Sequence, residues 1–182
     1  RLMFGRRRHR SDSHTTGRLV PGSGVAIYEI DGRLLIRTID GSDSLGIERN
    51  DFEVIDNNAD PEVIGRAIVE AADRAREVPR PTTWPAQSEY AAPLLAASPR
   101  RYRSYRAWQR AARYVHVQAR PDRWHIQRLY PDINRGGWQA SNEPDQTGSH
   151  RAARLLPPSA NPSDIGAEVL LLLQEPPFAD MA

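Results

Sequence analysis

The 182 residues contain no cysteine and no lysine; 25 arginines stand against 23 acids, for a formal net charge of +2. A disulfide framework and a thiolate metal centre are therefore excluded, and the longest apolar run, Val169 to Leu173, falls far short of the roughly 20 residues a membrane helix needs. The length suits one domain with a core that needs no staples, or one domain with a tail.

Charge is unevenly spread. Residues 21 to 77 hold six Arg against thirteen acids, net −7, whereas 78 to 154 hold thirteen Arg against five acids, net +8. Such alternation is not the continuous basic stripe of a nucleic-acid binder. Arginine in place of every lysine reads first as a genome-composition effect and is weak evidence for phosphate recognition.

Residues 1–23 have no apolar period and are rich in Arg, Ser, Thr and Gly, which predicts a flexible Arg-rich tail before one α+β domain over 24–182. The first residue is Arg1, so the chain is expected to begin inside a longer reading frame. Next, the apolar runs 25 to 30 and 33 to 38 flank Asp31-Gly32. That dipeptide supplies the positive φ angles of a tight hairpin turn. Residues 41 to 56 read as a turn, a short extended piece, another turn and a strand around Phe52 to Ile55.

Asp60 and Pro61 then predict a helix start: the carboxylate caps, and proline needs no N–H partner in the first turn. Val63, Ile64, Ala67, Ile68, Ala71 and Ala75 share its apolar face. Four prolines at 79, 81, 85 and 93 limit the following stretch to loop and a short helical piece.

Ser104 caps a short helix whose two sides differ. Tyr105, Trp108 and Ala112 fall on one side; Arg103, Arg106, Arg110 and Arg113 fall opposite. A stacking platform for single strands needs both sets on one exposed surface. The aromatics therefore read as core anchors. A second hairpin follows, with Pro121 in a turn from Arg120 to Arg123. Its register sets Val117 opposite Ile126 and Ala119 opposite Trp124 on an apolar face. His116 stands opposite Gln127 and Gln118 opposite His125 on a polar one. Arg128 is out of place on the apolar side. Residues 136–140 form a third strand, and 141–160 read as loop. Asn161 and Pro162 open a last helix whose leucines wrap most of its circumference, predicting deeper burial than the first. Its start repeats that of the first (Asx-Pro, then Ile-Gly), which two helices sharing one entry problem explain.

The expected fold class is α+β: an antiparallel sheet built from two hairpins, with two longer helices and one short helix packed on it. No Walker loop, nucleophile elbow or zinc-protease motif occurs. His116 and His125 share a face but lack a third ligand, so no metal, cofactor or catalytic role is assigned.

Three stretches, "DPEVIGRAIVEAADRAR" at 60–76, "PLLAASPRRYRSYRAWQRAARYVHVQ" at 93–118 and the closing "NPSDIGAEVLLLL", resemble the immunity proteins of bacterial contact-dependent growth inhibition systems. The resemblance implies a cytoplasmic, non-enzymatic protein that binds the cognate toxin C-terminal domain, commonly a nuclease, and blocks it. The partner so implied is a protein, not a small molecule, a membrane or nucleic acid. An acidic surface would complement a nuclease and speed its capture. The candidate toxin-binding residues are Asp40, Asp43, Glu48, Asp51 and Glu53. The competing reading is a nucleic-acid-binding regulator using the arginine tail and the 103–113 helix.

Overall fold

Asp31, at φ 48°, and Gly32, at φ 82°, turn the first hairpin as expected, because both central positions of this turn need the left-handed region. The hairpin joins β1 (Gly24–Ile30) to β2 (Arg33–Ser42). A computed structural model describes residues 22–42, 45–83, 87–132, 137–140 and 153–175. The tail expected at 1–23 lies almost wholly outside them.

The chain continues through β3 (Leu45–Asp56), α1 (Pro61–Asp73), α2 (Gln87–Ala97) and α3 (Tyr105–Ala111). Then come β4 (Arg113–Arg120), β5 (Arg123–Asp132), β6 (Gly137–Ala140), β7 (Ala153–Leu156) and α4 (Pro162–Gln174). The sheet runs β3-β2-β1-β4-β5-β6, every named pair is antiparallel, and β7 also pairs with β5. The class is α+β, with more strands than two hairpins. No helix among the described residues is long and apolar enough to cross a membrane.

Several local readings hold. Asp60 Oδ1 accepts from the Glu62 N–H at 2.8 Å, and Asn161 Oδ1 from Asp164 at 2.9 Å. Ser104 caps α3 through the Ala107 N–H. The second hairpin has the expected register, Val117 to Ile126 and Gln118 to His125. Others are corrected. The turn expected inside 41–56 is absent from 45–56, which is one strand interrupted by a register shift. Part of the loop expected at 141–160 is strand β7. Val63 is 47% exposed, so the apolar face of α1 is narrower than its sequence implies. Leu171 is 53% exposed, and α4 is buried along one face only, like α1.

Both sheet faces carry a core. On one, α1 and α4 cover Val25, Ile27, Ile36, Val115, Val117 and Ile126. On the other, Tyr28 is fully buried, stacked on Tyr114 at 4.6 Å between centroids and meeting Trp108 edge-on at 5.3 Å. The reading of one apolar and one polar face therefore fails at this end of the sheet. Arg128 is not misplaced: its guanidinium donates to the Leu172 and Leu173 carbonyls, both at 2.9 Å, which α4 leaves unpaired at its C-terminus.

The two halves of the molecule share one plan. A residue of β1 or β2 corresponds to the one 90 positions later in β4 or β5: turn 31–32 matches turn 121–122, and the seam pairs Val25–Val117 and Ile27–Val115 exchange with each other. The end of β3 and α1 correspond to β7 and α4, 101 positions later (Ile55 with Leu156, Pro61 with Pro162, Gly65 with Gly166). Ala59 N–H donates to Asp56 at 3.1 Å, and Ala160 N–H to Pro157 at 3.0 Å. Thr38 Oγ1 donates to the Ala71 carbonyl at 2.9 Å, and its counterpart Arg128 reaches Leu172, the counterpart of Ala71. A shared helix-entry motif alone does not account for this; the correspondence runs through strands, turn and helix.

The repeated glycines gain a reason. A Cβ on Gly65 would stand 1.7 Å from the Pro162 carbonyl oxygen, and one on Gly166 would stand 2.0 Å from that of Pro61. Each helix thus presses its first turn onto the bare backbone of the other.

Candidate interaction site

Four of the five candidate acids lie on β2 and β3, and the structure separates these four by role. Asp40 is buried. It takes a two-pronged ion pair from Arg49, with Nε to Oδ2 and NH2 to Oδ1 both at 2.9 Å, and it accepts from the Arg76 N–H at 2.9 Å. Glu48 is turned inward. Its Oε1 accepts from the Tyr28 hydroxyl at 2.7 Å, and Oε2 lies 3.1 Å from Arg37 NH1, an ion pair without hydrogen-bond alignment. Burial raises the Glu48 pKa, and Arg37 and the Tyr28 hydroxyl oppose that shift. Asp51 and Glu53 are exposed and make no ion pair among the described residues. Asp43 lies outside the described residues.

The register explains the division. Ile39 faces Glu48 and Arg37 faces Phe52, so one β2 residue spans what takes three on β3. Arg49, Asn50 and Asp51, two residues more than the one they face, form a bulge in the outer strand of the sheet. Arg37, wholly buried, sends Nε to the Arg49 carbonyl at 2.6 Å and NH2 to Asn50 Oδ1 at 3.4 Å, and lies over the Tyr90 ring at 5.1 Å. The Tyr28 and Tyr90 hydroxyls meet at 2.7 Å, which closes the network against α2. Sequence reasoning missed Arg37, Tyr28 and Tyr90. The signal was an arginine inside the apolar run from Leu34 to Ile39, where a cation is retained only with partners.

The short basic helix is settled in the direction its spacing implies. Trp108 is fully buried and its indole N–H donates to Ser98 Oγ at 2.7 Å; Tyr105 stacks on it at 5.6 Å. Arg103, Arg106 and Arg110 are exposed. Arg113, expected with them, sits instead on β4, pairing with Glu29 at 3.6 Å and donating to the Leu173 carbonyl. Of the aromatic rings a nucleic-acid platform would need, Trp108 is inside the protein and Tyr105 is half-buried against it.

The histidines share a face, but their arrangement does not favour a chelate. His116 Nε2 would meet a Cβ on Gly24 at 2.8 Å, so the ring leans over β1, on the side of β4 away from His125. Burial, then His125 and Arg120, lowers the His116 pKa to about 4, which keeps it neutral. No group of three or more His, Cys, Asp or Glu among the described residues is placed to hold a metal ion.

An antiparallel sheet with two longer helices on one face and two shorter ones on the other is a fold shared with solved proteins. A protein of unknown function from Neisseria meningitidis matches with a TM-score of 0.62 and 16% identity, over 84% of this chain and 93% of that one. A chain described as the CdiA-CT/CdiI toxin and immunity complex from Yersinia pseudotuberculosis matches with a TM-score of 0.62 and 13% identity, over 86% of this chain and 98% of that one. At these identities the likeness carries the fold alone. No protein-family model and no curated protein matches the chain.

Proposed function

We propose that this chain is an immunity protein that binds the toxin C-terminal domain of a contact-dependent growth inhibition system in the cytoplasm and neutralises it without turnover. The fold shared with a chain from a toxin and immunity complex is compatible with that role. The observation that carries the reading is the outer strand β3, which holds Asp51 and Glu53 exposed and without an ion pair among the described residues. A nuclease must attract phosphate, so its working surface is basic, and an acidic edge meets it with the complementary field. Asp51 and Glu53 are the proposed contacts, with Asp43 between β2 and β3 as a third. Asp40 and Glu48 serve by shaping that edge. The exposed strand edge also offers main-chain pairing to a partner.

The test is co-expression with the toxin domain encoded immediately upstream. Growth is expected to be protected and a tight complex recovered. Asp51→Lys with Glu53→Lys should abolish protection while leaving the melting temperature within a few degrees. If the unaltered protein gives no protection, the proposal is lost.

A further inference from the structure

Asp51 sits in a bulge, and a bulge needs a reason to keep its shape. Three backbone units between Glu48 and Phe52, where β2 spends one, could slide along the ladder, and each register would aim Asp51 differently. Two arginines prevent this from opposite faces. Arg37 enters from the aromatic side and holds the Arg49 carbonyl and the Asn50 side chain. The Arg49 side chain leaves on the helical side, gripped by Asp40, and donates to the Arg74 carbonyl at 2.7 Å beyond the end of α1. Phe52, packed against the aromatic core, fixes the next residue of the strand.

The other half of the molecule is an internal comparison. There the counterpart of Arg37 is Gln127, that of Tyr28 is Gln118 and that of Glu48 is Ala140. That half builds the same ladder, with Leu129 opposite Ala140 and Gln127 opposite Ala153, without a buried ion pair among its described residues. Between those rungs the chain spends residues 141–152, where β3 spends three. The shared scaffold therefore does not require the buried cation; the tight bulge does.

We infer that Arg37, although it reaches no surface, is the positioning residue of the docking edge: it fixes the bulge that presents Asp51, beside Glu53, to cationic side chains of a basic protein partner. This rests on the functional reading above. The pair is costly to bury, and a well-packed apolar pair of similar volume would serve stability as well. Its retention is explained by the shape it imposes on Arg49 to Asp51.

Two measurements test this. In the free protein, Arg37→Lys keeps the charge but loses the planar fork. Hydrogen exchange in peptides covering 45–56 should rise about tenfold, with β4 and β5 unchanged. Binding to the upstream-encoded toxin domain should weaken roughly tenfold, and a cycle with Asp51→Asn should be non-additive, because the second change finds the carboxylate already misplaced. If Arg37→Lys fails to fold, the double variant Arg37→Met, Glu48→Met replaces it and should give the same local exchange and the same loss of affinity. Unchanged exchange at 45–56 overturns the inference whatever binds. Altered exchange with unaltered affinity also overturns it. If the unaltered protein does not bind the toxin domain at all, the functional reading fails, and exchange alone decides whether Arg37 holds the bulge.

Discussion

Replacing Gly65 with alanine sets two effects of opposite sign against each other. Alanine is the better helix former by about 1 kcal/mol, so an isolated α1 would gain. In the folded protein the new Cβ stands 1.7 Å from the Pro162 carbonyl oxygen and 2.4 Å from its carbon, while ordinary contact begins at 3.4 Å. The obstacle is backbone, so no side chain can rotate away, and α1 and α4 must part by more than an ångström. Parting them loosens the contacts of Ile64, Ile68, Ile165 and Val169 beneath the crossing. Overpacking costs about 1–3 kcal/mol, and with only backbone to yield the upper end applies, so the net loss after the helix gain is about 2 kcal/mol and the melting temperature falls by roughly 4–8 °C in a chain of this size. Gly166→Ala should behave alike, since its Cβ would stand 2.0 Å from Pro61 O. The double variant should lose less than the sum, because the first change has already opened the crossing. Thermal unfolding followed by circular dichroism reads all three. A Gly65→Ala protein that melts higher than the parent would refute the account of these helices.

Acid should weaken the fold through His116. Its folded pKa of about 4 lies below the ordinary 6.5, so the unfolded chain binds the proton more readily. The stability it confers is complete above pH 6.5 and is lost progressively towards pH 4, by up to ~3 kcal/mol. His116→Gln should flatten that part of a urea-unfolding series, and an unchanged slope would contradict the burial of the ring. Arg128→Met keeps the stem but strips two donors from the Leu172 and Leu173 carbonyls. It should cost about 2 kcal/mol and speed exchange near the end of α4; a loss below ~0.5 kcal/mol would show that water replaces the guanidinium at no penalty.

Features governed by neighbours in the chain could be read from the sequence. Asp31-Gly32 and the turn at Pro121 set both hairpin registers, and Asp60, Ser104 and Asn161 cap the helices they precede. Features governed by distant partners could not. The continuous apolar run of β1, "GVAIYEI", carried the sign of a strand covered on both faces, but not what covers it. Arg128 stood out only until the end of α4, 44 residues on, was placed against it. Asp40 and Glu48 look like surface acids in a loop-rich stretch; each is turned inward because an arginine from the neighbouring strand waits there. Charge type is written in the chain, whereas which charges remain uncompensated depends on the ladder.

The seam between β1 and β4, with the crossed helices above it, has the geometry of an isologous contact: each half offers its mate the same strand and the same glycine-faced helix. Two chains could therefore trade halves, the first unit of one closing on the second unit of the other, and bury the same surfaces as a single chain. At high protein concentration this architecture carries a built-in route to an exchanged dimer.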